Sequence, residues 1–168
     1  MVMTQLLQTI QQMTERHERL LLLADVKREV IIRDQVDDLM RITAEENAIV
    51  KEITRLELAS RQYVVQAGEA LGLTVSASDT ISDLLQALPD VYAQQRRTLT
   101  QARAKLVETI DELKRKNELN RQLIDQSLQY ISFNIDVLTD APEQDMTYQK
   151  PVGEQQVKKR TGLFDRKA

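Results

Sequence analysis

Apolar residues recur along the first part of the chain at steps that alternate between four and three: Leu6, Ile10, Met13, His17, Leu20 and Ala24. That spacing is a heptad stripe, which lays one apolar seam along a helix. Val30 and Ile31 carry the helix past a polar gap at Lys27 and Arg28, so a first helix is predicted over residues 3–33. Asp34 is placed to cap a second helix, with Asp37 in its first turn, where a carboxylate is favourable. The second stripe runs through Leu39, Ile42, Glu46, Ile49, Ile53, Leu56, Ser60, Tyr63, Ala67 and Ala70 without a slip. Gly72 follows as a natural stop, because glycine tolerates the left-handed conformation at a helix end. The second helix therefore spans 35–71 and forms an antiparallel hairpin with the first through a very short turn.

Residues 72–79 are small and polar and read as a loop. In the following TISDLLQAL, Thr80 and Asp83 form a capping pair, and Ile81, Leu84, Leu85 and Leu88 share one face of a short helix that Pro89 stops. A third long helix then runs from near Asp90 to Leu138. Its seam reads Leu99, Ala102, Leu106, Ile110, Leu113, Asn117, Asn120, Ile124, Ser127, Ile131, Asn134 and Leu138. Such a helix extends roughly 70 Å, so the shorter hairpin covers it only in part. The fold class is all-α: an elongated antiparallel bundle made of a two-helix hairpin, a short helix and one long third helix, with a disordered C-terminal tail. The domain boundary falls between 1–141, the helical body, and 142–168, a polar tail that buries too little apolar area to order its backbone.

Composition narrows the function. Aromatics make up 4% of the residues and Trp is absent, while 29% are charged, which suits long amphipathic helices better than a globular core. The chain has no cysteine, which removes disulfides and thiolate metal sites and fits a reducing cytoplasm. The opening segment lacks a basic leader followed by an apolar run, so a secretory signal is not expected there. The apolar runs are too short to span a bilayer. Six basic and four acidic residues give the tail +2, which leaves −5 for the rest of a chain whose total is −3. Lys114, Arg115, Lys116 and Arg121 form a locally basic stretch, but flanking acids and the negative total favour a solvated face over nucleic-acid binding.

Catalytic chemistry finds no constellation. His17 is the only histidine, and a lone imidazole on a seam reads as packing, not as a metal ligand. Glu45 and Glu46 lie near Lys51 and Arg55 and read as ordinary ion pairs along one helix surface. No phosphate-cradling glycine loop or nucleophile elbow is present. An enzyme is not expected, and no cofactor or metal is implied.

The unusual stretch is 117–138, NELNRQLIDQSLQYISFNIDVL. Asn117, Asn120, Ser127 and Asn134 stand where earlier heptads carry Leu or Ile, and Leu119, Leu123, Leu128, Tyr130, Ile131, Phe133, Ile135 and Val137 spread apolar groups around the helix. One partner helix cannot bury all of these. Either the segment presents an apolar surface to a binding partner, or it belongs to a self-associating coiled coil whose seam Asn residues fix register. The residues alone leave both open.

The pattern Asn117, Asn120, Leu123, Ile124, Ser127, Leu128 resembles the late-helix pattern of FlgN-type flagellar export chaperones. RITAEENAIVKEITRLE in the second helix, ALGL with TISDLLQAL, and the ending Gly162, Leu163, Phe164, Asp165 are similar to that family's hairpin, its loop with a short helix, and its tail. The resemblance implies a cytoplasmic chaperone of flagellar type III export. Such a chaperone binds the C-terminal helical segments of hook-associated proteins, prevents their premature assembly and delivers them to the export gate. On this reading Leu123, Ile124, Leu128, Ile131, Ile135 and Leu138 give apolar contact to a client helix, while Asn117, Asn120 and Ser127 set its register. Tyr130 is either an anchor for client or gate, or a half-buried bundle residue. The tail either shields the groove with Leu163 and Phe164 or stays unstructured. The alternatives are another type III export chaperone, such as the filament-cap class, and a self-associating structural coiled coil.

Overall fold

The computed structural model of the chain describes residues 1–73, 76 and 79–139. It contains α1 (Val2–Ile32), α2 (Val36–Ala70), α3 (Ile81–Ala87), a 3₁₀ turn (Asp90–Tyr92) and α4 (Ala93–Thr139). The described residues form an all-helical bundle, as the heptad stripes predict. The expected boundary near residue 141 and the tail beyond it lie outside the described residues.

The hairpin turn departs from expectation. Asp34 does not cap α2. It takes a left-handed conformation, φ 57°, and closes α1: its own N–H donates to the Ile31 carbonyl at 3.1 Å, and the Gln35 N–H donates to Val30 at 3.1 Å. These are the two bonds of a Schellman motif. Gln35 stands at the α2 N-cap without a side-chain cap bond. The reason is geometric: reversing the chain within three residues requires one left-handed residue, and Asp is among the few non-glycines that accept it at modest cost. The far end of α2 repeats the device with glycine. Gly72 has φ 66°, its N–H donates to Glu69 at 3.1 Å and the Leu73 N–H donates to Gly68 at 2.9 Å. At α3 the expected capping pair is present, with the Asp83 N–H donating to Thr80 Oγ1 and the Thr80 N–H donating to Asp83 at 2.7 Å.

α1 is the middle helix. It packs against α2 on one side and α4 on the other, while α2 and α4 do not approach each other at backbone range among the described residues. Lys105–Glu18 at 2.8 Å and Lys116–Asp25 at 2.7 Å run in step along the two chains, so α4 is parallel to α1 and antiparallel to α2. The core has two parts. At one end Leu6, Ile10, Val64 and Leu99 meet Leu84, Leu85 and Leu88 of the α3 segment, which fill the space between α2 and α4. Toward the hairpin turn Leu20, Leu23, Val30, Ile42, Ile49 and Ile53 form the second part, with Leu113 of α4 against it.

The two polar breaks in the stripes answer each other. Lys27 of the α1 gap pairs with Glu46 of the α2 seam at 2.7 Å, both largely buried. Glu45 reaches across to Arg19 at 2.6 Å. The expected partners Lys51 and Arg55 are thus replaced by residues of the neighbouring helix. His17 is buried, and its Nδ1 lies 2.7 Å from the Met13 carbonyl, so that nitrogen carries the proton, as a packed seam histidine would. In α2 the buried register moves from Tyr63 to Val64, the drift expected of a straight 3.6-residue helix carrying a 3.5-residue repeat.

Candidate partner-binding site

The site begins where the bundle ends. Asn120 is the last buried residue of α4; its Nδ2 donates to the Ala24 carbonyl at 2.8 Å. From that level α1 has eight residues left and α4 has nineteen, so α4 outruns the hairpin by about 16 Å. Beyond Asn120, only Leu123, Ile124 and Asn134 are partly covered among residues 121–139. Leu128, Tyr130, Ile131, Phe133, Ile135, Val137 and Leu138 are between 47% and 78% exposed, and Leu119 just before Asn120 is also exposed. Isolated exposed leucines are ordinary, but a contiguous set of this size on one helix end makes this stretch the candidate interaction surface.

At about 100° of rotation per residue, these side chains sort into two stripes. Ile124, Leu128, Ile131, Ile135 and Leu138 extend the line of Leu99, Leu106 and Leu113, the face that packs on α1. Leu119, Leu123, Tyr130, Phe133 and Val137 form a second stripe roughly 140° around the helix. Ser127 and Asn134 lie between the two. Asn117, expected on the seam, is exposed, and half-buried Lys116 takes that place while bridging to Asp25. Asn120 lies inside the bundle, and the Ser127 hydroxyl donates to Leu123 at 3.0 Å within its own helix. Leu119, Phe133 and Val137 are large exposed residues that a single client groove left unassigned; their departure from the heptad is the signal that sets them apart.

The electrostatics are local. Arg121 bonds Glu118 at 3.0 Å and lies 3.5 Å from Asp125. The Arg121 hydrogen bond, followed by that of Gln122, holds the Glu118 carboxyl below its ordinary range. Lys114 pairs with Asp111 and Lys116 with Asp25 and Glu112, so the basic stretch is largely neutralised on its own surface. A groove of about 570 Å³ between α1 and α4 is lined by Thr14, Glu15, Glu18, Gln101 and Lys105 and lies far from the exposed stripes. It is bridged by the Lys105–Glu18 pair. Among the described residues no group of His, Asp or Glu is placed to hold a metal, and no helix is long and apolar enough to cross a membrane.

A bundle that ends in a bare, doubly apolar helix defines a helical binding protein. The chain belongs to the FlgN family: the sequence model described as FlgN protein matches residues 1–156. FlgN proteins are chaperones of flagellar assembly, and this chain is a flagellar export chaperone in that general sense. It is also similar to a Bacillus subtilis (strain 168) protein named uncharacterized protein YvyG, 29% identical over 153 residues, which cover 90% of each chain. No solved structure matches the chain.

Proposed function

We propose that this chain is a cytoplasmic chaperone of flagellar type III export whose clients are hook-associated proteins. It binds their C-terminal helical segments along the exposed end of α4, keeps them from assembling early and delivers them to the export gate, with no catalytic step. The observation that carries this reading is the stretch of α4 beyond Asn120, where large apolar side chains stand in solvent on a helix that the bundle does not cover. A client's amphipathic helix laid along it would bury its own apolar face and theirs together, the helix-in-groove mode of recognition. Asn117 and Ser127, beside the first stripe, would set the client's register, and Asn120 fixes the point at which α4 leaves the bundle.

Calorimetric titration of the full chain with the C-terminal segments of the hook-associated proteins and the filament cap of the same organism tests this. Tight binding to a hook-associated segment is expected. The combined variant Leu123→Asp, Ile131→Asp should weaken it by about 100-fold or more, since each buries a charge in place of an apolar anchor, with helicity retained. Binding to the cap segment alone would move the chain to the sister class of chaperone. Self-association with no client binding would leave a structural coiled coil.

A further inference from the structure

We infer that the outer face of α2 is a contact between two copies of this chain, packed antiparallel about a two-fold axis at the level of Glu45. The inference goes beyond the client reading and does not rest on it. Every large apolar side chain that α2 exposes, namely Val36, Met40, Val50 and Leu58, falls on a single line. Thr43, Asn47 and Thr54 fill the gaps in that line. It steps by four and three and carries no charge from Val36 to Leu58, in a chain of which 29% is charged. The line lies roughly 120° around the helix from buried Ile42, Ile49 and Ile53, so it faces away from α1. The Thr43 hydroxyl donates to the Leu39 carbonyl at 2.8 Å and the Thr54 hydroxyl to the Val50 carbonyl at 3.0 Å. Both hydroxyls are satisfied within their own helix, which leaves the methyl groups to the face. α2 thus carries a second heptad seam beside the one that builds the hairpin.

A second copy is the occupant because this face complements itself. Antiparallel pairing sets Val36 against the partner's Thr54, Met40 against the partner's Val50 and Thr43 against the partner's Asn47, each contact made twice by symmetry. Ala44, small and exposed, borders the seam at its midpoint and lets the helices close. On the same border Asp37 meets the partner's Lys51, with the partner's Arg55 beside it, again twice. A parallel pair would instead send Lys51 to the partner's Glu46, a carboxylate that the Lys27 of its own chain holds at 2.7 Å. Exposed charge pairs add little affinity, but they select orientation. A strip about 33 Å long and one helix, about 10 Å, wide falls short of the roughly 800 Å² per partner of a standard stable interface. The pair is therefore weak and reversible, with a dissociation constant in the micromolar range or above. Its symmetry points the two free ends of α4 in opposite directions and leaves both uncovered.

Analytical ultracentrifugation of the full chain from micromolar to millimolar concentration tests this. The mass is expected to rise from that of one chain toward that of two. Val50→Asp, at an exposed position, should weaken association at least tenfold with an unchanged melting temperature. Asp37→Lys should also weaken it, and adding Lys51→Asp should restore it. Because the chain has no cysteine, single cysteines read the register. A mixture of Thr43→Cys and Asn47→Cys chains should form a mixed disulfide on mild oxidation, and Asn47→Cys alone should not. A mass that stays at one chain throughout overturns the inference. Ready disulfide formation by Asn47→Cys alone also overturns it, since it marks a parallel pair. Association that survives Val50→Asp but is lost in Ile131→Asp overturns it as well and puts the contact on the end of α4. Client binding plays no part in any of these readouts, so failure here leaves the chaperone reading untouched.

Discussion

Asn117 and Asn120 stand three residues apart on one helix, and replacing each by alanine separates the contribution of tertiary packing from that of helix propensity. Both substitutions gain the same intrinsic preference of alanine over asparagine, about 0.5 kcal/mol. Asn117 is exposed, so Asn117→Ala should leave stability unchanged or raise it by about that amount. Asn120 is 3% exposed and donates to Ala24 at 2.8 Å. Its truncation removes a buried hydrogen bond worth about 1 kcal/mol net and leaves unfilled space worth about another 1 kcal/mol. After the propensity gain, Asn120→Ala should cost about 1–2 kcal/mol, a fall in Tm of about 3–6 °C at this chain length. Asn120→Leu gives the sharper control. The Ala24 carbonyl keeps its own helix bond, so no acceptor is orphaned, and the new apolar contact offsets the lost bond; stability within about 0.5 kcal/mol of the parent is expected. Urea unfolding followed by circular dichroism, with equal slopes across the series, measures all three. If the two alanine variants agree within about 0.5 kcal/mol, or the leucine variant loses as much as the alanine one, Asn120 does not fasten α4 to α1 and the site has no fixed base.

Two further outcomes follow from the turns. Asp34→Gly should stabilise the hairpin by about 0.5 kcal/mol, because relief of the left-handed backbone exceeds the added entropy of the unfolded chain, whereas Asp34→Val should cost about 1–2 kcal/mol; thermal melts of the pair decide it. At α3, the Thr80 hydroxyl and N–H hold the Asp83 carboxyl below its ordinary value of 3.8. A depressed carboxyl contributes its stability above the unfolded pKa and loses it as pH falls through the folded one. Protection of the α3 amides, taken against the intrinsic exchange rate at each pH, should therefore fall from pH 5 to pH 3, and Thr80→Val should flatten that dependence; an identical profile in the variant would count against the capping pair.

The parts of this fold that local spacing determines were legible. Heptad stripes place α1, α2 and α4, the Thr80–Asp83 spacing announces the α3 cap, and Gly72 marks the end of α2, because each depends only on residues within a few positions. What spacing does not contain is which helix stands opposite. Glu45 has Lys51 and Arg55 near it in sequence yet bonds Arg19, and Glu46 looks like a flaw in the α2 seam until Lys27 meets it from α1. Asp34 has the composition of an N-cap, but the sharpness of the hairpin makes it the last residue of the preceding helix instead.

The site shows the same division. That α4 outruns the hairpin is readable from helix lengths alone, and so is the unusual apolar content after residue 117. The division of that content into two stripes follows from helix periodicity too, but which stripe continues the bundle's own face does not, because that depends on where the neighbouring helix stands. Only the position of α1 settles the matter. It defines the direction in which Asn120 and Leu113 point, and against that direction Ile131 continues the bundle's own face while Phe133 turns away from it. Such side chains would each contribute about 1.5–3 kcal/mol on full burial, and the free chain leaves this unrealised on both faces. Asp125 and Asp136 interrupt the apolar surface from behind. They hold the far side of α4 in water and so confine its apolar surface to the two stripes.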